Sequence, residues 1–424
     1  MPRPAPPPED ADDTDDGPTA AEAASHARAL RGAAKLAAEA TTGLTDLVEA
    51  VHARVASLPG LPAPAGERTR GIAGLVYKTV RGITRVVGAS VDTLLAALSP
   101  MLASNAHPAA LPSPEREAVL AALNGVLGDH LARSANPLAI RMALRHGGRA
   151  LPLQRDALAA ALPAATGRPL LLIHGLCMND LQWRRDGHDH GQALADALGF
   201  TPIHLHYATG LHVSTNGRAL AGQIEQLLAQ WPHPVERFAI VAHSMGGLVA
   251  RSALHYGRAA GHHWTHRLDD IVFLGTPHHG APLERAGQGV DRLLQATPYA
   301  APFARLAKLR SAGITDLRHG NVVDEDWRDL DRFVDANDRR TPVPLPAGPR
   351  CHAIAGTLAK EDGLVDRMLG DGLVPVASAL GRHRLARRTL KFAPERQRVF
   401  EDTGHLQLLS SRDVFEQLRD WLRA

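Results

Sequence analysis

The sequence predicts an α/β fold in which helices cover both faces of a mostly parallel sheet. Beyond residue 170, short apolar runs of strand length alternate with longer segments of helical periodicity, a pattern typical of parallel strands joined by crossover helices. One of these runs, at 238–242, leads through a sharp turn into an apolar helical segment. Helical patterns dominate before residue 135, so we expect an all-helical region ahead of the sheet.

The length of 424 residues predicts one large domain with an accessory region. We expect a disordered tail over 1–18, which is rich in proline and aspartate, and a helical region over 19–105. A helical connection follows over 106–135, because a serine, a proline and a glutamate at 113–115 are a typical helix start. The α/β domain then occupies 136–424.

Residues 69–98 form a basic amphipathic segment. Apolar residues recur there at steps of three and four, while Lys78, Arg81 and Arg85 share another face. The interpretation that we favour is a helix packed on its neighbours in a small helical region. The alternative is peripheral contact with a membrane or a lipid granule, which a basic amphipathic helix can make.

The main domain is predicted to begin with a β-hairpin over 140–153, with its turn at 146–148. Six further strands are predicted at 170–173, 202–206, 238–242, 271–274, 352–355 and 398–400, followed by a terminal helix at 413–422. A long insertion at 281–349 contains short amphipathic patterns and a polar stretch. We predict that this insertion forms a cap or lid over an apolar pocket. The alternative is that it only packs against the domain and has no role in function.

Ser244 lies at the centre of the string Ala-His-Ser-Met-Gly, directly after the strand predicted at 238–242. A strand, a sharp turn and a helix in this order present a serine hydroxyl at the edge of a sheet. Small residues flank such a serine because the strand and helix backbones approach each other closely. Ala242 replaces the glycine that is usual at the first position, and alanine is still small. We therefore predict that Ser244 is a nucleophile.

A serine hydroxyl needs a base, and histidine suits that role near neutral pH. His405 is preferred among 23 histidines because it follows the last predicted strand and precedes the terminal helix. His243 is a rival whose side chain we expect to point away from the partner of the serine. We interpret His278 and His279 as a shaped loop beside the pocket rather than as a base or a metal pair.

A carboxylate has to orient the imidazole and stabilise its protonated form. Asp371 is preferred because flanking glycines allow a tight turn that projects its side chain, with Asp362 and Asp366 as nearby alternatives. Two backbone N–H groups have to stabilise the oxyanion. We predict those of Met245, which follows the serine, and of Leu176, in the loop after the first parallel strand.

Five segments, in this order along the chain, resemble α/β-hydrolases of the bacterial lipase and esterase kind, with some likeness to PGAP-one-type lipid-ester hydrolases. They are strand-His-Gly-Leu, Ala-His-Ser-Met-Gly-Gly, Gly-Thr-Pro-His-His-Gly, Asp-Gly-Leu-Val-Pro and Thr-Gly-His-Leu. The resemblance covers 140–424 and says nothing about 1–135. It implies an α/β-hydrolase fold and hydrolysis of carboxylic esters through an acyl-enzyme, with Ser244, His405 and Asp371 as nucleophile, base and orienting acid.

The composition argues against several partners and chemistries. A net charge of +3 and an aromatic content of 4% disfavour nucleic acid as a partner. The acidic residues in 324–329 do not have the spacing of a calcium loop. Cys177 and Cys351 have no metal or redox spacing, and we expect buried free thiols. We therefore expect a small-molecule or lipid ester as the partner and neither a cofactor nor a metal.

The proline-rich, acidic start is unlike a secretory signal, and no run reaches the ~18 apolar residues of a membrane-spanning helix. We expect a cytoplasmic protein, peripheral on a lipid surface if 69–98 binds one. Two alternatives to ester hydrolysis stay open. One is acyl transfer or polyester depolymerisation at a lipid-coated surface, and the other is a non-catalytic binding role. The sequence leaves the oligomeric state open.

Overall fold

A computed structural model describes residues 114–133, 135–136, 138–281, 311–328, 340–359 and 370–423. The predictions for 1–18, for 19–105 and for the amphipathic segment 69–98 lie outside these residues. So do parts of the predicted connection at 106–135 and of the insertion at 281–349.

The described residues form one eight-stranded sheet. Its strands are β1 (Ala143–His146), β2 (Arg149–Ala150), β3 (Pro169–Ile173), β4 (Thr201–His206), β5 (Phe238–His243), β6 (Leu268–Leu274), β7 (Arg350–Gly356) and β8 (Gln397–Phe400). Their spatial order is β2-β1-β4-β3-β5-β6-β7-β8. β1 pairs antiparallel with β2 and β4, and the other neighbours pair in parallel. The predicted hairpin and the six predicted strands are therefore confirmed.

The α-helices of the described residues flank these strands. They are α1 (Pro114–Arg133), α2 (Arg155–Ala161), α3 (His190–Leu198), α4 (Val213–Ala229), α5 (Met245–Ala259), α6 (Ala312–His319), α7 (Val376–Ala379) and α8 (Arg412–Arg423). α1 lies within the predicted helical connection, and α8 is the predicted terminal helix. None of the helices in the described ranges is long and apolar enough to cross a membrane.

Strand β3 lies near the centre of the sheet because its sequence is apolar throughout, and all five of its residues are buried. Parallel strands that are covered on both faces carry continuous apolar runs of this kind. Leu170 and Leu172 share one core cluster with Leu194 of α3 and Leu418 of α8. Burying a leucine side chain contributes roughly 2 kcal/mol, so this cluster holds α3 and α8 against the sheet.

His190 ties the start of α3 to the segment that precedes α8. Its side chain is fully buried, and its Nε2–H donates to the carbonyl oxygen of Leu408 at 2.9 Å. Its Nδ1 accepts a hydrogen bond from Nε2 of His188 at 2.8 Å. Burial lowers the pKa of His190 from 6.5 to about 4, because a charged ring would lose its hydration.

The lowered pKa of His190 predicts a specific loss of stability in acid. Between pH 6.5 and pH 4 the unfolded chain binds a proton at this position and the folded chain does not. Stability is therefore complete above pH 6.5 and falls as the pH drops towards 4. His190→Gln keeps a donor for Leu408 and removes the titration. Unfolding free energies would be measured in urea at about pH 7.5 and about pH 5. Between these two pH values we expect the wild type to lose on the order of 2 kcal/mol more than His190→Gln.

The matched control is His233→Gln, because His233 is exposed and its ring makes no hydrogen bond among the described residues. This variant should lose as much stability in acid as the wild type. Equal losses in wild type, His190→Gln and His233→Gln would show that His190 does not carry the acid sensitivity.

Candidate active site

Ser244 occupies the sharp turn between β5 and α5. Its backbone has φ 54° and ψ −126°, a left-handed conformation that costs an L-residue on the order of 1–3 kcal/mol. The amide of Ser244 donates to the carbonyl oxygen of Leu274 at 2.8 Å, which holds the turn against the end of β6. A side chain at Gly246 would collide with the carbonyl oxygen of Ile173, and one at Gly247 would collide with Thr276. The small residues after Ser244 are therefore required by close backbone packing, as the sequence predicts.

His405 and Asp371 form a buried pair. Nδ1 of His405 and Oδ2 of Asp371 are 2.7 Å apart, and the two residues are 4% and 3% exposed. The other carboxylate oxygen, Oδ1, accepts hydrogen bonds from the amides of Leu373 at 3.1 Å and Val374 at 2.8 Å. Because the carboxylate accepts from Nδ1–H, the neutral ring leaves Nε2 unprotonated. Nε2 is buried and makes no hydrogen bond within the described residues.

Ser244 and this pair meet around the end of β6. Gly275 directly follows Leu274, the residue that accepts the Ser244 amide. A Cβ atom at Gly275 would lie 3.1 Å from both Asp371 Oδ2 and His405 Nδ1. Within the described residues no hydrogen bond joins Ser244 Oγ to His405 Nε2.

His243 is placed differently from the expectation drawn from the sequence. Its Nε2–H donates to the carbonyl oxygen of His405 at 3.1 Å, and the two ring centroids are 4.7 Å apart. The expectation that His243 points away from the partner of the serine was therefore wrong. Burial, and then the neighbouring His405, hold the pKa of His243 well below its usual range. His243 is thus a neutral ring that supports the backbone of His405.

The loop after β3 lies directly against Ser244. A Cβ atom at Gly175 would be 2.9 Å from Cβ of Ser244 and 3.4 Å from its Oγ. The amides of Leu176 and Met245 donate no hydrogen bond to an acceptor within the described residues. Neither Gly175 nor Gly275 was selected from the sequence. Each of these glycines directly follows a strand or the first residue after one, and that position could have indicated a close contact.

Cys177 and Cys351 are both free and buried, as the sequence predicts. Helix α1 covers the loop after β3 from outside, since a side chain at Gly125 would collide with Sγ of Cys177. Burial raises the pKa of Cys177 to about 12, which keeps its thiol protonated and unreactive.

The other predicted candidates lie elsewhere or outside the described residues. Asp362 and Asp366 are outside them. Nε2–H of His279 donates to the carbonyl oxygen of Gly381 at 2.9 Å, so His279 takes no part in the His405–Asp371 pair. His278 and His279 lie in the loop that follows β6.

A second group of polar side chains has the residue types of a metal site. Potential ligand atoms of Glu117, Asp180 and His206 lie within 4.8 Å of one another. However, Nη1 of Arg145 donates to Glu117 at 2.8 Å and to Asp180 at 3.1 Å. The guanidinium pairs with both carboxylates, and His206 Nδ1 lies 3.1 Å from Asp180, so the set fits an ion-pair network rather than a metal centre.

The position of Gly275 generates a test of the His405–Asp371 pair. We expect Gly275→Ala to slow labelling of Ser244 by a fluorophosphonate probe at least roughly tenfold, because the added methyl group displaces the two side chains. Gly261→Ala is the matched control, since Gly261 also has a positive φ (71° against 56°) but open space around it. It should label at the wild-type rate. Equal labelling of the two variants would contradict this placement of the pair.

Comparison with known proteins is consistent with this architecture. A family model described as "PGAP1-like alpha/beta domain" matches residues 164–344. No curated protein matches the sequence. Among solved structures, the mature lipase BlEst2 from Bacillus licheniformis is 20% identical, with 61% of this chain and 93% of that chain covered and a TM-score of 0.38.

Two further solved structures show similar levels of likeness. The phospholipase PlaB from Legionella pneumophila is 17% identical over 60% of this chain and 63% of its own, with a TM-score of 0.36. The thioesterase RedJ from Streptomyces coelicolor is 15% identical over 62% of this chain and 91% of its own, with a TM-score of 0.35. The strand order and the strand–turn–helix at Ser244 are those of an α/β-hydrolase-like fold, and residues 164–344 match the model of the PGAP1-like alpha/beta domain.

Proposed function

We propose that this protein is a serine hydrolase that cleaves carboxylic esters through an acyl-enzyme. The observation that carries the proposal is the buried His405–Asp371 pair, 2.7 Å apart, beside a serine held in a left-handed turn. A structural serine needs neither the backbone strain nor a neighbouring imidazole whose free nitrogen is left without a partner.

The arrangement supports each step of ester cleavage. Nε2 of His405 takes the proton of Ser244 as Oγ attacks the ester carbonyl, and Asp371 stabilises the imidazolium that forms. The amides of Leu176 and Met245 stabilise the negative charge on the carbonyl oxygen. His405 then returns the proton to the leaving alcohol, which leaves the acyl group on Ser244. Water, deprotonated by His405, releases the acid and regenerates the serine.

The hydrogen bonds to Asp371 give this carboxylate its orienting role. Two amides bind one of its oxygens and the His405 ring binds the other, so the carboxylate fixes the position of Nδ1 of that ring. Replacing one carboxylate oxygen by an amide nitrogen in Asp371→Asn would favour the wrong tautomer of His405. The acid therefore acts on the orientation and protonation of the base rather than on the substrate.

The experiment compares Ser244→Ala with the wild type on p-nitrophenyl esters of graded chain length. We expect kcat to fall by at least roughly a thousandfold with the fold intact, because the nucleophile is removed without a change in volume that affects packing. Ser252→Ala is the matched control, since Ser252 is a buried serine on the same helix. It should retain wild-type turnover.

Undiminished hydrolysis by Ser244→Ala would refute the proposal. Failure of the wild type to react with a fluorophosphonate probe would favour the non-catalytic binding role. Transfer of the acyl group to an added alcohol in preference to water would assign the same acyl-enzyme to an acyltransferase.

A further inference from the structure

A cavity of about 750 Å³ opens beside α5, away from the His405–Asp371 pair. One wall is the segment 342–347, which is mainly proline and aliphatic side chains, and the facing wall is the loop 386–391. Arg251 of α5 and His278 also line it. Its size is that of a site for a small organic molecule.

Arg251 is a buried cation that makes no ion pair with an acid within the described residues. It is 5% exposed, and the hydrogen bond that it makes within the described residues runs from Nη2 to the carbonyl oxygen of Val343 at 2.6 Å. Nε and Nη1 are buried without a hydrogen-bond partner. Burial, followed by the charge of Arg340, lowers the pKa of Arg251 to about 10. An unpaired buried guanidinium is costly, and an anion bound in the cavity would offset that cost.

Among the described acids, Asp326 is the one whose charge acts on Arg251, and both of its oxygens accept hydrogen bonds from backbone amides. Oδ2 of Asp326 accepts hydrogen bonds from the amides of Val322 at 2.8 Å and Val323 at 3.1 Å. Its Oδ1 accepts from the amide of Thr341 at 2.7 Å. Asp326 thus stabilises the backbone around the cavity and makes no hydrogen bond to Arg251.

His278 adds a second unsatisfied polar side chain. It is 1% exposed, lines the cavity, and neither of its ring nitrogens has a hydrogen-bond partner within the described residues. Burial, followed by the charge of Arg251, holds its pKa well below the usual range, so the ring is neutral. A neutral ring can donate one hydrogen bond to a bound oxygen atom.

The rim of the cavity is basic on one side. Arg340, Arg387, Arg388 and Lys391 line it together with the buried Arg251. Arg340 and Arg388 have other interactions, so the charges that favour an anion are those of Arg251, Arg387 and Lys391. Three positive charges favour a ligand that carries more than one negative charge, which a phosphate monoester or a diphosphate does and a single carboxylate does not. The aliphatic and proline wall fits the organic part of the same ligand.

We propose that this cavity is a binding site for an organic phosphate, with Arg251 and His278 contacting the phosphate and the loop 386–391 supplying charge at the entrance. Arg251 follows Ser244 by two turns of α5, so it lies about 10 Å along the same side of the helix. A phosphate at Arg251 is therefore separate from the reacting ester bond. Its binding does not depend on the proposed hydrolysis.

The test measures binding of phenyl phosphate to the full-length protein by calorimetry, with inorganic phosphate for comparison. We expect saturable binding of phenyl phosphate, tighter than that of inorganic phosphate because the ring packs on the apolar wall. Arg387→Ala/Lys391→Ala removes two exposed charges from the entrance and should weaken binding roughly tenfold.

Arg382→Ala/Arg384→Ala is the matched control, because it removes the same charge from exposed residues of the same region that do not line the cavity. Its affinity should stay within roughly twofold of the wild type. Arg251→Met removes the buried charge and should abolish binding. A circular dichroism spectrum of this variant checks that it is folded. Absence of saturable binding by the wild type, or equal weakening in the two double variants, would overturn the site.

Two sources of the phosphate are distinguished by kinetics. If it belongs to the ester substrate, Arg387→Ala/Lys391→Ala lowers kcat/KM for a monoacylglycerol phosphate but not for the matching monoacylglycerol, and phenyl phosphate inhibits competitively. If it is a separate ligand, the variant treats both esters alike and phenyl phosphate binds without competing. Loss of all ester hydrolysis with binding retained would refute the proposed function and leave the site standing.

Discussion

The parallel register of four central strands is the constraint on which the candidate active site depends. Ile173, Ala242, Phe273 and Ala353 stand side by side in one row across β3, β5, β6 and β7. Each strand ends shortly after this row, so the loops that follow leave the sheet at the same edge. Ligands of parallel α/β sheets bind at the carboxyl ends of the strands for this reason. A slip of one residue in any pair would move a loop and reverse the side chains that it carries.

The polar groups at this edge are buried, and each is stabilised differently. The strained turn at Ser244 is held by the bond from its amide to Leu274. The carboxylate of Asp371 accepts hydrogen bonds from two backbone amides and from the His405 ring. The backbone oxygen of His405 in turn accepts a hydrogen bond from the His243 ring. Nε2 of His405 is one of the buried atoms at this edge that have no hydrogen-bond partner within the described residues. Native proteins tolerate such an unpartnered buried group mainly where function requires it.

The same reasoning separates the charge clusters of the molecule into two kinds. Asp270, buried at the start of β6, is matched by Arg237 at 2.7 Å and by Arg350 at 2.7 Å, so it needs no further partner. Arg145 is likewise matched by Glu117 and Asp180. Arg251 differs because its contact is a carbonyl oxygen and its two other nitrogens are left without partners. Burial alone therefore does not mark a ligand site, and the proposed site depends on a buried charge that has no acidic partner within the described residues.

The amino-acid sequence by itself determined the strands, because continuous apolar runs such as 170–173 have no stable position other than a covered sheet. It also singled out Ser244, since the strand, the turn and the small residues around it are local features. It preferred Asp371 to Asp362 and Asp366, but it could not place Asp371 or His243 against His405, because those contacts join segments far apart in the chain. The roles of Gly175 and Gly275, and the unmatched charge of Arg251, follow from packing between loops. Only the tertiary structure decided them, because distances between such segments depend on strand register and not on any local pattern.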